Sequence, residues 1–388
     1  MRTLQTAAAA ILALALPAHS LSAEKAKSEP TQSSSSSKYD WPDTVAGKTL
    51  EQWIKELKHA DPSVRENAVR TLHLFGPRAS KAIPDIIHMT GSDYDVSLRV
   101  NGCIALMTLE IDKKDEAAAV QALVKQLTDN PQAVVRLHAA MALGRFKEGA
   151  KAAIPGLIAA TRDRGSWEIR KAAVGSLARV SKDKVTGPDP RATAALLDAL
   201  KDYGAKVRLE AVMALGSMGK PASEMTRQTV MRALQNELRD RDPTIGVWCY
   251  VGMMALDRMA DTYLAEIIKF LKKGDVPTRT HAARALGMVG PEVKKQMPRK
   301  KVDELVTALV SALKDPEASV AEMAAWSLGE SAQSFDPGDE ATSVLTELTK
   351  NEKLDGSVKV MAFAALESIK GKKWTGEVGK KEEKKPER

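Results

Sequence analysis

The sequence predicts an all-α chain that folds as a right-handed α-solenoid of about nine helical hairpins. The composition is rich in Ala and Leu and only 4% aromatic, which favours helix over sheet. Related strings recur along the chain with a mean period of about 37 residues, which is typical of stacked helical repeats. Because one hairpin cannot cover its own apolar stripe, successive hairpins are expected to stack.

Residues 1–23 have the pattern of a secretory signal peptide. Arg2 precedes an apolar stretch from Ala7 to Leu16, and Pro17 and small residues follow it. The apolar run is too short to span a bilayer and suits the central region of a signal. We therefore expect an exported chain, periplasmic or extracellular, with no transmembrane span after signal cleavage.

The two ends beside the solenoid are predicted to be disordered. Residues 24–40 contain the run Ser33 to Ser37 and form a Ser-rich linker, and residues 372–388 form a charged tail. The predicted solenoid occupies residues 41–371. The formal net charge of +8, spread over so long a molecule, does not identify an anionic partner.

Recurring anchor residues mark the second helix of each hairpin. Each anchor is followed by a small residue four positions later and usually by Leu at eight, as in Val207, Ala211 and Leu215. These positions lie on one helical stripe, where small side chains allow neighbouring backbones to approach closely. The anchors are Val64, Leu98, Val135, Ile169, Val207, Ile245, Thr278, Val320 and Val358.

Apolar-periodic segments upstream of the anchors, such as 50–58 and 302–313, predict the first helix of each hairpin. Pro84 and Pro155 are expected to open two of these helices, because proline in the first turn costs no hydrogen bond.

The turns and inserts also follow from the sequence. In the Asp-Pro pairs at 61, 242 and 315, Asp is expected to cap a second helix and Pro to open it. Longer inserts at 183–191 and 291–301 are predicted to be loops.

The D-P-x-V-R-x-x-A-x-x-A-L-G pattern and the A-I-P-x-L-I opening resemble bacterial HEAT repeats of the phycobilisome-lyase-like type. This resemblance covers the predicted solenoid and implies an interaction scaffold or, less commonly in the family, an enzyme.

The resemblance also implies a ladder of bonds between neighbouring repeats, from the Arg after the anchor to the Asp before the second helix. We call each Arg–Asp bond of this ladder a rung. Gly246 and Ala321 stand where the pattern has Arg, so the sixth and eighth repeats should lack a rung. The implied ladder residues are Asp61, Asp95, Asp275 and Asp355 with Arg65, Arg99, Arg136, Arg170, Arg208, Arg279 and Lys359.

Apolar side chains also occur two and six positions after the anchors, where an amphipathic helix would be polar. They either pack between adjacent second helices on the concave side or line a groove for a protein or peptide partner. These residues are Ile104, Leu137, Met141, Leu209, Met213, Val247, Val251 and Trp326.

A basic cluster in the second insert is either a solvated loop or a binding site for an anionic polymer, which would bind by counterion release. Export argues against nucleic acid as that polymer. The cluster consists of Lys294, Lys295, Arg299, Lys300 and Lys301.

Catalytic, metal and cofactor sites are not predicted. The histidines lack His-x-x-x-His spacing, and no Cys-x-x-Cys pair occurs. The string Gly47-Lys48-Thr49 looks like the end of a phosphate loop, but Pro42 takes the place of its leading Gly, and no strand is expected before it. The sequence thus predicts a non-catalytic exported scaffold, with a lyase-like enzyme of dispersed active-site residues as the alternative.

Overall fold

The structure, a computed structural model, describes residues 41–183, 185–257, 260–352 and 354–376. It describes the backbone alone at 260, 291, 292, 294–296 and 372–376. The predicted signal peptide and linker lie outside the described residues, as does the charged tail from residue 377. None of the helices in the described ranges is both long enough and apolar enough to cross a membrane.

From residue 50 onwards the described chain forms nine successive helix pairs, which confirms the predicted solenoid. Every anchor residue lies in the second helix of its pair. The pairs are α1 (Leu50–Glu56) with α2 (Pro62–Thr71), α3 (Ile83–Ser92) with α4 (Val96–Thr108), α5 (Lys113–Asp129) with α6 (Ala133–Leu143), α7 (Ile154–Ala160) with α8 (Trp167–Val180), α9 (Pro190–Ala199) with α10 (Ala205–Ser217), α11 (Glu224–Glu237) with α12 (Pro243–Leu256), α13 (Ala260–Lys273) with α14 (Val276–Gln296), α15 (Arg299–Ala312) with α16 (Ala318–Ser331), and α17 (Gly338–Lys350) with α18 (Gly356–Gly376).

A small hairpin precedes the first pair. Its strands β1 (Thr44–Val45) and β2 (Lys48–Thr49) are antiparallel, and Ala46 and Gly47 make the turn with positive φ. The expectation of no strand before Gly47 was therefore wrong. The two-residue turn that follows this strand is nevertheless not a phosphate-binding loop, which would be longer and would lead into a helix. The indole Nε1 of Trp53 donates to the Val45 carbonyl at 3.0 Å, which ties the hairpin to α1.

Four of the five predicted proline and aspartate positions mark helix starts. Pro84 and Pro155 lie in the first turns of α3 and α7, each after a 3-10 segment, Leu72–Ala82 or Lys147–Ala153. Asp61 and Asp242 cap α2 and α12 as expected. The prediction for Asp315 was wrong. Its carboxylate accepts from the backbone N–H of Glu317 and from a neighbouring arginine instead.

The second predicted insert is mostly helical, so the loop expected at 291–301 was wrong. Helix α14 continues to Gln296, and α15 begins at Arg299. Val293 and Met297, four positions apart, are buried in the core and hold this extension on the fold. Helix α18 likewise continues to Gly376, beyond the predicted start of the disordered tail.

The second helices pack closely along the array. A Cβ added at Gly216 of α10 would lie 2.9 Å from the Gly252 Cα of α12, and one at Gly329 of α16 would lie 3.0 Å from the Ala365 Cα of α18. Consecutive second helices contact one another more extensively than consecutive first helices do. Because the layer with the closer spacing lies on the inside of a curve, the second helices line the inner face.

Cys103 in α4 and Cys249 in α12 are buried free thiols, four repeats apart. Burial raises the pKa of the Cys103 thiol to about 12 and also raises the pKa of Cys249. Since the thiolate is the reactive form, we expect iodoacetamide at pH 8 to leave both unmodified in the folded chain and to alkylate both in urea. Intact-mass measurement without reductant checks this, and a disulfide or rapid labelling of the folded chain would contradict it.

Candidate functional site

An arginine ladder joins neighbouring repeats along one edge of the solenoid. Each arginine follows the anchor of one second helix and donates to an aspartate in the turn of the next pair. The same guanidinium groups also donate to backbone carbonyls in the turn of their own repeat. Arg208, for example, donates to the backbone carbonyl oxygen of Asp202 at 3.0 Å. The ion pairs, with N–O distances of 2.6 to 3.0 Å, are Arg65–Asp93, Arg136–Asp163, Arg170–Asp202, Arg208–Asp240 and Arg279–Asp315.

The aspartates implied as ladder partners serve another purpose, so this part of the expectation was wrong. Their carboxylates accept hydrogen bonds from backbone N–H groups in the first turn of their own second helix, which makes them N-caps. These residues are Asp61, Asp95, Asp275 and Asp355. The ladder aspartates occur two or three residues before the caps.

The arginine of the second repeat, Arg99, has no aspartate to pair with in the next turn. Asn130 occupies the turn position that holds aspartate in the other rungs, and its amide donates to Gln126 and accepts from the Gln132 N–H. The Nε of Arg99 is buried without a hydrogen-bond partner. In the last repeat Lys359 donates to the Glu352 carbonyl at 3.3 Å.

The apolar residues predicted for the inner face form a half-buried row. Val247 is the exception, because it is fully buried in the core and cannot contact a partner. Leu137, Leu209, Met213 and Val251 also pack against the core with part of their surface. The half-buried residues are Ile104, Leu137, Met141, Leu209, Met213, Val251 and Trp326.

Charged side chains interrupt this apolar row in its middle. Arg284 of α14 stands six positions after its anchor, where the third, fifth, sixth and eighth repeats carry Met, Met, Val and Trp. Lys171 of α8 stands two positions after its anchor. Together with Glu210 of α10 and Arg179 at the end of α8 they form a group that we call the inner charged cluster. The cluster was not predicted from the sequence, although charges at positions that are apolar in most other repeats were a usable signal.

The charged groups of α8 and α10 lie on facing helical stripes, because Lys171 and Arg179 stand four residues before and after Gly175. The Glu210 carboxylate lies beside Gly175, where an added Cβ would clash with Oε1. Arg179 donates to Ser176 Oγ at 3.2 Å, and its guanidinium lies over Gly144. The charges of Lys171, Arg179 and Arg284 all act on Glu210. Glycines on α8 and at the end of α6 thus make room for the cluster.

The predicted basic loop does not form a free cationic loop. Arg299 and Lys301 lie in the first turn of α15, where they pair with Asp303 and Glu304 at 2.8 Å. Lys300 is exposed. The side chains of Lys294 and Lys295 lie outside those described. Within the described residues, no group of three or more His, Cys, Asp or Glu side chains could hold a metal ion.

Comparison with known proteins gives a match to the family model of HEAT repeats at residues 50–144, 120–216, 154–241 and 264–367. No functionally curated protein matches the chain. Three solved structures are similar in fold. An engineered protein is 19% identical with a TM-score of 0.43, over 83% of this chain and 98% of its own. A designed armadillo repeat protein in complex with the peptide (KR)4 is 18% identical with a TM-score of 0.44, over 54% of this chain and 99% of its own. The complex of CpcE and CpcF of phycocyanin lyase from Nostoc sp. PCC7120 is 17% identical with a TM-score of 0.42, over 86% of this chain and 98% of its own.

Proposed function

We propose that this chain, which belongs to the family of HEAT-repeat proteins, is an exported, non-catalytic scaffold that binds a protein or peptide partner on the inner face of its second helices. The observation that carries the proposal is the row of half-buried Leu, Met, Val and Trp side chains along that face. Side chains of this kind keep apolar surface in water that a bound segment would cover.

The chemistry of the row supports a binding role. Met141 and Met213 occupy equivalent positions in the third and fifth repeats, and the unbranched Met side chain adapts to irregular partner surfaces. Trp326 at the equivalent position of the eighth repeat offers the large, rigid area that commonly anchors an interface. All three are partly exposed, in contrast to the fully buried Trp248.

The proposed location outside the cytoplasm rests on the signal pattern of residues 1–23. Binding of an anionic polymer through the insert at 291–301 has less support, because Arg299 and Lys301 already pair with carboxylates.

A photo-crosslinking experiment tests the binding face. We expect benzoylphenylalanine in place of Trp326 to form a discrete cross-linked product in the cell's own exported fraction, because the residue lies under the bound partner. The matched control places the same amino acid at Tyr94, an aromatic residue that is 100% exposed in a turn of the second pair. Equal cross-linking at both positions, or none at 326, would count against the inner face.

A further inference from the structure

The inner charged cluster is the strongest feature of the inner face that an apolar groove alone does not explain. The charges of three cations, Lys171 and Arg179 from the fourth repeat and Arg284 from the seventh, act on one carboxylate, Glu210 of the fifth. One carboxylate cannot neutralise three cations, so the cluster carries a formal excess of positive charge. This excess lies in the middle of the apolar row, between Met141 on one side and Trp326 on the other.

The cations of the cluster lack enough acceptors within the fold. The Nε of Arg284 is buried and has no hydrogen-bond partner. A buried donor in that state costs free energy, and the partly exposed end of the same guanidinium can still donate to an acceptor on the inner face. Lys171 is exposed and can reach a bound group. The cluster therefore has donor capacity that remains unused in the isolated chain.

The surroundings disfavour the charged forms of several members. Burial raises the pKa of Glu210, although the three cations act in the opposite direction. Burial also lowers the pKa values of Arg179 and Arg284, and the charge of Glu210 opposes this effect only in part. His281 borders the cluster, and burial followed by the charge of Arg284 lowers its pKa, so His281 adds no positive charge at neutral pH. An additional anion would offset part of the cost of burying the two arginines.

The apolar neighbours restrict what that anion can belong to. Met213 and Val251 occupy, in the fifth and sixth repeats, the row position that Arg284 holds in the seventh. A segment lying along the inner face would thus meet apolar side chains before and after the cations. A peptide with carboxylates between apolar residues complements this order. A polysaccharide or nucleic acid would need cations along its whole length.

The geometry points to the inner charged cluster as the recognition site for an acidic peptide segment of the partner, whose carboxylates bind Lys171 and Arg284 while its apolar residues cover the flanking row. This inference rests on the proposed function and adds the chemistry of the partner to it. In the free protein the negative charge of Glu210 lies among these cations and opposes the binding of a further carboxylate.

Fluorescence polarisation with two labelled peptides tests the inference on the full chain. One peptide alternates Leu with Glu, and the other alternates Leu with Gln. We expect the acidic peptide to bind on the order of tenfold more tightly, since one charged hydrogen bond contributes about that factor. Lys171→Gln should weaken binding of the acidic peptide several-fold, whereas Glu210→Gln should strengthen it because a charge that repels the peptide carboxylates is removed. Lys125→Gln, which removes an exposed lysine of α5, is the matched control and should change nothing.

The outcomes separate the two proposals. If Trp326 cross-links but neither Lys171→Gln nor Glu210→Gln changes peptide affinity, the cluster is not the recognition site and the binding face stands. If Trp326 also fails to cross-link, both proposals fall. If heparin binds more tightly than the acidic peptide and loses affinity in Lys171→Gln, the occupant is an anionic polymer, and the peptide assignment is overturned.

Discussion

Replacing Arg170 with alanine is expected to lower the free energy of unfolding around the fourth and fifth repeats by about 3 kcal/mol, because it leaves the Asp202 carboxylate buried without its partner. The side chains of this pair are only 4% and 9% exposed, and Arg170 is the most deeply buried arginine of the five rungs. Arg170 donates to both Asp202 oxygens and to the Asp163 carbonyl, and it stacks on Tyr203 at 4.3 Å.

Hydrogen exchange in α8 and α10 is the suitable measurement, because repeat arrays need not unfold in one step. Arg162→Ala is the control. It removes a pair with Asp198 whose side chains are 64% and 58% exposed, and it should cost less than about 1 kcal/mol. The double variant Arg170→Met with Asp202→Asn should cost less than Arg170→Ala alone, since no charge remains buried. Equal losses for Arg162→Ala and Arg170→Ala would contradict the ladder interpretation.

The pH dependence of the same rung provides a second readout. Burial by itself raises the pKa of Asp202, but the hydrogen bonds from Arg170 and the Gly204 N–H lower it more, so it lies below its ordinary value. A carboxylate with a lowered folded-state pKa stabilises the fold above its unfolded pKa of about 4, and this contribution is lost as the pH falls through the folded value. The stability difference between the wild-type chain and Asp202→Asn should therefore shrink in acid.

The other large effect is expected for Trp248→Ala, which should cost about 4 kcal/mol. Trp248 is 1% exposed, and its indole Nε1 donates to His281 Nδ1 at 3.0 Å. Alanine would leave a cavity between α12 and α14 and would remove the donor to a partly buried imidazole. Urea unfolding followed by circular dichroism measures the loss.

Two companion variants make the Trp248 result informative. Trp248→Phe keeps most of the volume and should cost about half as much or less. Trp326→Ala should lower stability far less than Trp248→Ala, because Trp326 is only half-buried. If the two alanine variants were equally destabilised, Trp326 would be a packing residue and the binding face would lose its anchor.

The ladder illustrates a limit of inference from sequence. The repeat pattern placed the arginines, but most turns contain two polar or acidic residues close together, as in Asp93-Tyr94-Asp95. Either aspartate has the right chemistry for both roles. The backbone of the turn directs the second carboxylate to the helix N-terminus and the first toward the arginine of the preceding repeat. Spacing alone does not distinguish these directions.

The second insert shows a similar limit. Its interruption of the repeat period suggested a loop, but two apolar residues one helical turn apart, Val293 and Met297, are buried in the core. The free energy gained by burying them holds the segment as a helix. Whether such space exists depends on the neighbouring repeats, which local sequence does not describe.

By itself the sequence determined the helical period, the nine anchors, the first-turn prolines and the position of the ladder arginines, because each depends on residues within one repeat. The tertiary structure alone decided which aspartate completes each rung, that Val247 is buried while Met213 is partly exposed, and that the charges of Lys171 and Arg284 both act on Glu210. Those facts depend on how closely the second helices stack on the inner face. Stacking lets the charge of Arg284 act on Glu210, two repeats earlier in the chain, and no local pattern encodes that interaction.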